Sequence, residues 1–146
     1  MRIAVQEGPF DLGAEADAFA RGRCVSGAIV TFTGVVRDVA GGLKAMEIEH
    51  YPGMTETALT EIATEAERRW ALEDCLIIHR HGTLAPGEMI MMVATAALHR
   101  KDAFEAAEYL MDYLKSRAPF WKREITGDGA EWVASRDEDE AALTRW

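Results

Sequence analysis

The chain has 146 residues, 16 of them Lys or Arg and 25 Asp or Glu, for a formal charge of −9. With 49% hydrophobic and 28% charged residues, the balance is that of a folded domain rather than a disordered tail, long enough to close a core without disulfides or metal. The acidic total argues against a general nucleic-acid binder, which needs a positive face to displace counterions. No apolar run approaches the roughly 20 residues of a membrane span, and the start MRIAVQEGPF lacks a signal-peptide pattern. The expectation is one cytoplasmic domain over residues 1–146, an enzyme or a binding module, with neither nucleic acid nor membrane as partner.

A short strand, Arg2 to Gln6, opens the chain, and Gly13 to Ala20 reads as a helix ended by Gly22. Val25 to Val36 is dense in β-branched residues and reads as a strand. Gly41-Gly42 then turns the chain into Leu43 to His50, whose period-2 alternation suggests a hairpin partner with one wetter face. After the turn Tyr51-Pro52-Gly53, Leu59, Ile62, Ala66 and Trp70 recur at helical spacing. Leu76 to His81 and Met89 to Ala97 form two strands joined by Ala85-Pro86-Gly87; Met89, Met91 and Met92 suit either a dimer face or ordinary core. A third helix is expected from about Asp102 to Arg117, with Asp102 and Glu105 at capping-box spacing and Pro119 fixing its end. Phe120 to Thr126 alternates again, Asp128-Gly129 turns it towards Glu131 to Ala134, and the tail DEDEAALTRW reads as a short helix. Mixed elements with hairpin-length links imply an α+β fold with a largely antiparallel sheet. Cys24 and Cys75, the only cysteines, read as reduced thiols.

Charge is unevenly placed. Residues 100–123 hold six basic and four acidic groups, a balance of +2, against 10 basic and 21 acidic elsewhere, or −11. A positive island on an acidic protein suits a small anionic ligand. Lys101 and Arg117 read as solvated helix residues. Lys115 lies on the shoulder of the apolar stripe of its helix, where an ammonium can lose solvation and become a nucleophile or base, or where its stem can pack while its head snorkels. Strand alternation sets Phe120, Lys122 and Glu124 on one face and Trp121 and Arg123 on the other. Because Pro119 reverses the chain, Lys122 could return to Lys115, with Glu124 either orienting it or forming a surface ion pair with it. His99-Arg100 stands at a helix start, a natural phosphate or carboxylate site, and Arg37 follows a strand beside a glycine loop; both also fit plain surface residues. His79 and His81 share a strand face, but no third metal ligand is marked, and the acidic run from Asp137 to Glu140 reads as a solvated helix start. GxSxG, Walker A and GxGxxG patterns do not occur.

The blocks VTFTGVVRD (30–38), EHYPGMTE (49–56), ALHRKDAF (97–104) and MDYLKSRAPFWKRE (111–124), in that order and spacing, with a Trp-terminated tail, closely resemble the catalytic (large) subunit family of molybdopterin synthase. The resemblance implies an α/β hammerhead with an antiparallel sheet and an additional small β subdomain. It implies a cytoplasmic sulfurtransferase of molybdenum cofactor biosynthesis, converting cyclic pyranopterin monophosphate to molybdopterin. Two sulfurs would come from the C-terminal Gly-Gly thiocarboxylate of a small ubiquitin-like subunit, and large subunits would form a homodimer within a heterotetramer. Neither cofactor nor metal is implied, since molybdenum enters later in that pathway. The family's essential lysines fall on Lys115 and Lys122, with Lys115 favoured for proton transfer. Its substrate-anion residues fall on Arg37, His99 and Arg100, and Arg123 and Glu124 continue the second lysine's strand. Phe32 falls on a pocket aromatic. Val35, where relatives carry lysine, and Val36 fall at substrate-contacting positions that could act only through backbone or apolar atoms. Two other readings remain open: a non-catalytic docking module for a ubiquitin-like protein, and a phosphate-ester enzyme needing no partner.

Overall fold

The computed structural model describes residues 1–134 and 136–146. In chain order the elements are β1 (Arg2–Gln6), α1 (Leu12–Ala20), β2 (Ala28–Val35), β3 (Leu43–His50), α2 (Met54–Trp70), β4 (Asp74–Arg80), β5 (Gly82–Leu84), β6 (Met89–Ala97), α3 (Arg100–Ser116), β7 (Phe120–Thr126), β8 (Gly129–Trp132) and α4 (Asp137–Ala142), followed by a 3₁₀ turn, Leu143–Arg145. The strands form two four-stranded sheets, β1-β4-β6-β2 and β5-β3-β7-β8. Among the described residues, only the β1–β4 pair is parallel. The α+β expectation holds, with the second sheet as the smaller β unit.

β4 and β6 occupy the centre of the first sheet and are covered on both faces, which explains their nearly unbroken apolar runs. Leu76 and Ile78 point with Met92 and Ala94 towards Phe19 and Ala16 of α1. Cys75, Ile77 and Val93 point the other way, into the larger core with Leu59 and Ile62 of α2 and Ala106 and Leu110 of α3. The methionine-rich strand is therefore core of this chain: Met91 and Met92 are buried, and only Met89, at its start, is exposed. Cys75 is buried and Cys24 exposed, both as free thiols.

Three local expectations change. β3 is not a hairpin partner of β2: β2 pairs with β6 in one sheet, while β3 pairs with β5 and β7 in the other. The link between them carries Gly41 and Gly42 at φ +90° and +89°, and the Asp38 carboxylate accepts from the Val39 and Leu43 N–H groups at 2.8 and 2.7 Å. That loop turns the chain out of the first sheet instead of folding it back within it. α3 begins at Arg100 with His99 as N-cap and no side-chain cap; the anticipated capping box is absent because Glu105 instead accepts from the Trp70 indole N–H at 2.9 Å. The three-residue strand β5 was not anticipated at all.

The chain end is tied down. Trp146 packs edge-on against Trp70 and Tyr109, and its indole N–H donates to Asp112 at 2.6 Å. Arg145 reaches Glu108 and Asp112, each at 2.6 Å. These contacts to α2 and α3 bring α4 alongside α3. At the other side of the site, the Thr55 hydroxyl, buried at the start of α2, accepts from the Tyr51 N–H at 2.9 Å and donates to the Pro119 carbonyl at 3.4 Å. The turn before α2 and the entry to β7 are thereby joined.

Candidate functional site

α3 delivers Lys115 at its last turn, Pro119 follows, and β7 begins at once. The short reversal brings Lys115 and Lys122 to one cavity of about 170 Å³, lined also by His79, Leu114, Phe120, Val133, Ala134, Arg136 and Asp139. The alternation expected for β7 holds: Phe120 and Lys122 face the cavity, whereas Trp121 lies with Tyr51 and Trp132 on the sheet's other side.

The two lysines differ. The Lys115 side chain is 49% exposed and its Nζ lies 3.7 Å from the Asp139 carboxylate. Lys122 is largely buried, and its pKa is lowered first by that burial and then by the nearby Lys115 charge, with Asp139 opposing. Of the two readings open for Lys115, a packed stem with a solvated head fits its half-exposed side chain, and the loss of solvation falls on Lys122. The cause is tertiary: β4, α3 and the tail all close over the strand that carries it.

His79 forms part of the cavity wall although it is only 3% exposed. Its ring stacks on Phe120 at 3.7 Å and 16°, and its Nδ1 lies 2.8 Å from the Arg80 carbonyl. Burial, followed by the Lys122 charge, pushes its pKa down to about 3, so the ring is neutral. His81 packs instead against His50, the rings tilted by 40° with 4.2 Å between centroids. Among the described residues, no group of three or more His, Cys, Asp or Glu side chains is arranged to hold a metal ion.

The other expected residues are spread more widely. Arg37 is exposed just beyond β2. It lies at the end of the first sheet where β4 finishes, since His79, Met91 and Gly34 are register neighbours. His99 and Arg100 are exposed at the opposite end, where α3 starts. The β2–β6 register runs from Val35–Met89 to Ala28–Ala97, so about 26 Å of strand separates the Arg37 end from the His99 end. Arg100 is likewise some 22 Å of helix from Lys115. One chain thus brings the lysines together but not His99 or Arg100 with them.

Arg123 points away from the cavity, pairs with Glu47 across β3 and lies over Trp132. Glu124 sits opposite Met46 and Glu131 in the register, and no ion pair joins it to Lys122, so its suggested orienting role has no support. Phe32 and Val35 are exposed on β2, while Val36 is buried. The Val36 N–H donates to the Glu88 carbonyl and its own carbonyl accepts from the Gly87 N–H, both at 2.8 Å.

Sequence reasoning missed His79, Arg136 and Asp139 as lining residues. Asp139 carried no mark within the run DEDE, and Arg136 read only as a flanking charge. His79 was weighed as a metal ligand, although its place at the end of an apolar strand could have marked it as buried.

Comparison with known proteins identifies the family. The family described as "MoaE protein" matches residues 5–117. The molybdopterin synthase catalytic subunit of Cereibacter sphaeroides is 67% identical over the whole length of both chains. The molybdopterin biosynthesis MoaE protein of Burkholderia ambifaria is 53% identical, covering 99% of this chain and 96% of its own, with a TM-score of 0.84. The crystal structure of molybdopterin synthase from Staphylococcus aureus, at 31% identity, covers 92% of this chain and 98% of its own, also with a TM-score of 0.84. A chain that matches this family over most of its length, and that turns two lysines into a single cavity, belongs to the MoaE family of molybdopterin synthase catalytic subunits.

Proposed function

We propose that this chain is a sulfurtransferase that converts cyclic pyranopterin monophosphate to molybdopterin. Sulfur would come from the C-terminal thiocarboxylate of a small ubiquitin-like subunit docked at the lysine cavity. The observation that carries this reading is the convergence of Lys115 and Lys122, from the end of α3 and the third residue of β7, on one concave site. Both guests are anions, and among the described lining residues Lys115, Lys122 and Arg136 are cations against the single carboxylate of Asp139.

The chemistry needs three events for each sulfur. The thiocarboxylate sulfur attacks a side-chain carbon of the pterin, a carbon–oxygen bond breaks, and water hydrolyses the resulting thioester to a thiolate and a free carboxylate. Lys115, paired with Asp139 and half exposed, is suited to hold negative charge as an ammonium. Lys122, whose lowered pKa leaves more of it as free amine, is the better placed of the two to move a proton. This reverses the preference for Lys115 that accompanied the family resemblance.

Phosphate binding would draw on two chains. β2 is the edge of its sheet and exposes Ile29, Phe32 and Val35. Two copies related by a two-fold axis across β2 would bring the His99–Arg100 end of one beside the Arg37 end of the other. The helix N-terminus at His99 would then add free N–H groups to the phosphate site.

The test uses thiocarboxylated small subunit and precursor, with the dithiolene product followed by mass spectrometry. Lys122→Ala and Arg100→Ala should each lose on the order of 100-fold or more in single-turnover rate. Mixing the two variants under exchange conditions should restore about a quarter of wild-type activity, since half the dimers would hold one intact site. Absence of product with wild-type protein refutes sulfur transfer, and lack of recovery on mixing refutes the shared site. Turnover of a simple cyclic phosphate without the small subunit would favour the phosphate-ester reading.

A further inference from the structure

The outer face of the second sheet, turned away from the lysine cavity, uses one combination of side chains twice, the second time without a basic residue of its own. In the first instance Glu47, Arg123 and Trp132 are register partners across β3, β7 and β8. The Arg123 Nε donates to the Glu47 carboxylate at 3.1 Å, and the guanidinium lies over the Trp132 ring, 5.3 Å from its centroid. A carboxylate and an aromatic ring thus hold a cation between them. Two residues along, Glu49 is the register partner of Trp121, and alternation keeps both on that same face. Tyr51 follows on this face, its ring 6.0 Å from that of Trp121 and tilted by 58°. Trp132 is diagonal to Trp121 across the β7–β8 pair, a spacing that aromatic side chains can bridge. Glu49, Tyr51, Trp121 and Trp132 line one depression of about 340 Å³. Among the described residues, no cation of this chain pairs with Glu49 or lies over Trp121.

We propose that Glu49, Tyr51, Trp121 and Trp132 form a socket for an arginine side chain on the surface of a protein partner. Trp121, Trp132 and Tyr51 are 47%, 55% and 57% exposed, a large aromatic area to leave in water, and ring faces attract cations through their quadrupole. A purely apolar occupant would cover the Glu49 carboxylate without giving it a partner. A phosphate or nucleic acid would meet Glu47 and Glu49 as like charges. Arginine fits better than lysine, because a guanidinium can lie on an indole and still bond a carboxylate through its edge, the arrangement Arg123 makes in the neighbouring set. A protein source follows from the exposure of the rings. A free cation on so open a face keeps most of its hydration and gains little, whereas a side chain carried by a protein brings surrounding surface that excludes water. The chain's charge of −9 favours a basic partner. The socket stands apart from sulfur transfer, since its side chains lie on the sheet face opposite Lys122.

The indole N–H signal of Trp121 is followed by NMR in the full chain, assigned by its absence from Trp121→Leu. The probes are the end-capped peptide Leu-Arg-Leu, the same peptide with citrulline in place of arginine, which keeps the shape and loses the charge, and methylguanidinium. Leu-Arg-Leu should move the Trp121 signal saturably, with a dissociation constant on the order of 10 mM. The citrulline peptide should bind wild type about three-fold more weakly or worse, and Glu49→Gln should weaken the arginine peptide by a similar factor. Methylguanidinium should bind more weakly than the arginine peptide. The indole signals of Trp70 and Trp146, whose N–H groups donate to Glu105 and Asp112, should stay in place. An unmoved Trp121 signal at about 50 mM arginine peptide, or equal binding of the arginine and citrulline peptides, overturns the socket. Equal movement of the Trp70, Trp121 and Trp146 signals, the mark of general attraction to an acidic chain, overturns it too. Methylguanidinium binding as tight as that of the arginine peptide marks a site for small cations and overturns the protein partner. The comparison of arginine with citrulline is made on wild type, so it decides even where a variant folds poorly.

Discussion

Lys122→Met should lower single-turnover dithiolene formation by about three orders of magnitude while leaving the chain at least as stable near neutral pH as the wild type. Both halves of this result follow from the same burial. Lys122 is held among His79, Leu114, Phe120 and Val133 beside a second ammonium, an environment that favours an apolar side chain of similar length over a charged one. Its folded-state pKa lies below the unfolded value of about 10.5, so between those two values the native state binds fewer protons than the unfolded state. The stability linked to Lys122 is therefore present above pH 10.5 and is lost as pH falls towards the folded pKa. The stability advantage of the Met variant should be largest near pH 7 and should shrink as pH approaches 10.5. Thermal melts at pH 7 and pH 10, read beside the rate assay, check the pair. A variant that is less stable at pH 7, or nearly as active as wild type, contradicts the account. Loss of function with retained or improved stability is the signature of a group kept for chemistry against the preference of the fold.

Arg80→Leu should cost about 3 kcal/mol or more and lower the melting temperature by roughly 10 °C. Arg80 is buried and spans two segments. Its Nε and Nη2 donate to the Glu7 carbonyl at 3.0 and 2.9 Å, and its Nη1 reaches the Glu88 carboxylate and the Met89 carbonyl, both at 3.3 Å. Removing the guanidinium strands these acceptors. Arg80→Lys should rescue little, because one ammonium cannot reproduce the planar fork. The effect should reach the proposed anion site too: the Glu88 carbonyl holds the Val36 N–H, and Arg37 is the next residue. Precursor affinity should fall along with stability in Arg80→Leu, whereas a surface change such as Lys44→Ala should alter neither. Urea unfolding and precursor titration of the two variants test this.

How far the fold and site were legible in the sequence follows from the range of the forces involved. β7 was read correctly, to the face each residue occupies, because alternation is a property of adjacent residues. The two long helices, α2 and α3, were found from their apolar spacing, with the start of α3 misplaced by two residues where an expected cap gave way to the Trp70–Glu105 bond from another helix. The pairing of β3 with β7 was not legible, since Ile48 meets Lys122 across the sheet through contacts no local period encodes. Lys115 and Lys122 were identified as a pair, but loss of solvent was weighed only at Lys115, where a solvated head was the alternative, and not at Lys122. Helical periodicity places Lys115 at the margin of an apolar stripe, and cannot show that β4 and the tail close over Lys122 instead. Asp139 was indistinguishable from its acidic neighbours until Arg145 and Trp146 fastened the segment and placed that one carboxylate beside Lys115.

The cationic lining set in an anionic chain has a consequence for kinetics. A negatively charged guest meets two fields of opposite sign. At distances of several nanometres it faces the summed charge of −9, which slows its approach; within the cavity it faces Lys115, Lys122 and Arg136, which retain it. Dissolved ions screen the first field strongly, over a Debye length of about 10 Å at 0.1 M, and the second much less, because it acts at short range behind a partly closed wall. Moderate ionic strength therefore hastens capture while barely shortening residence, the reverse of the behaviour of a protein whose surface attracts its ligand from afar.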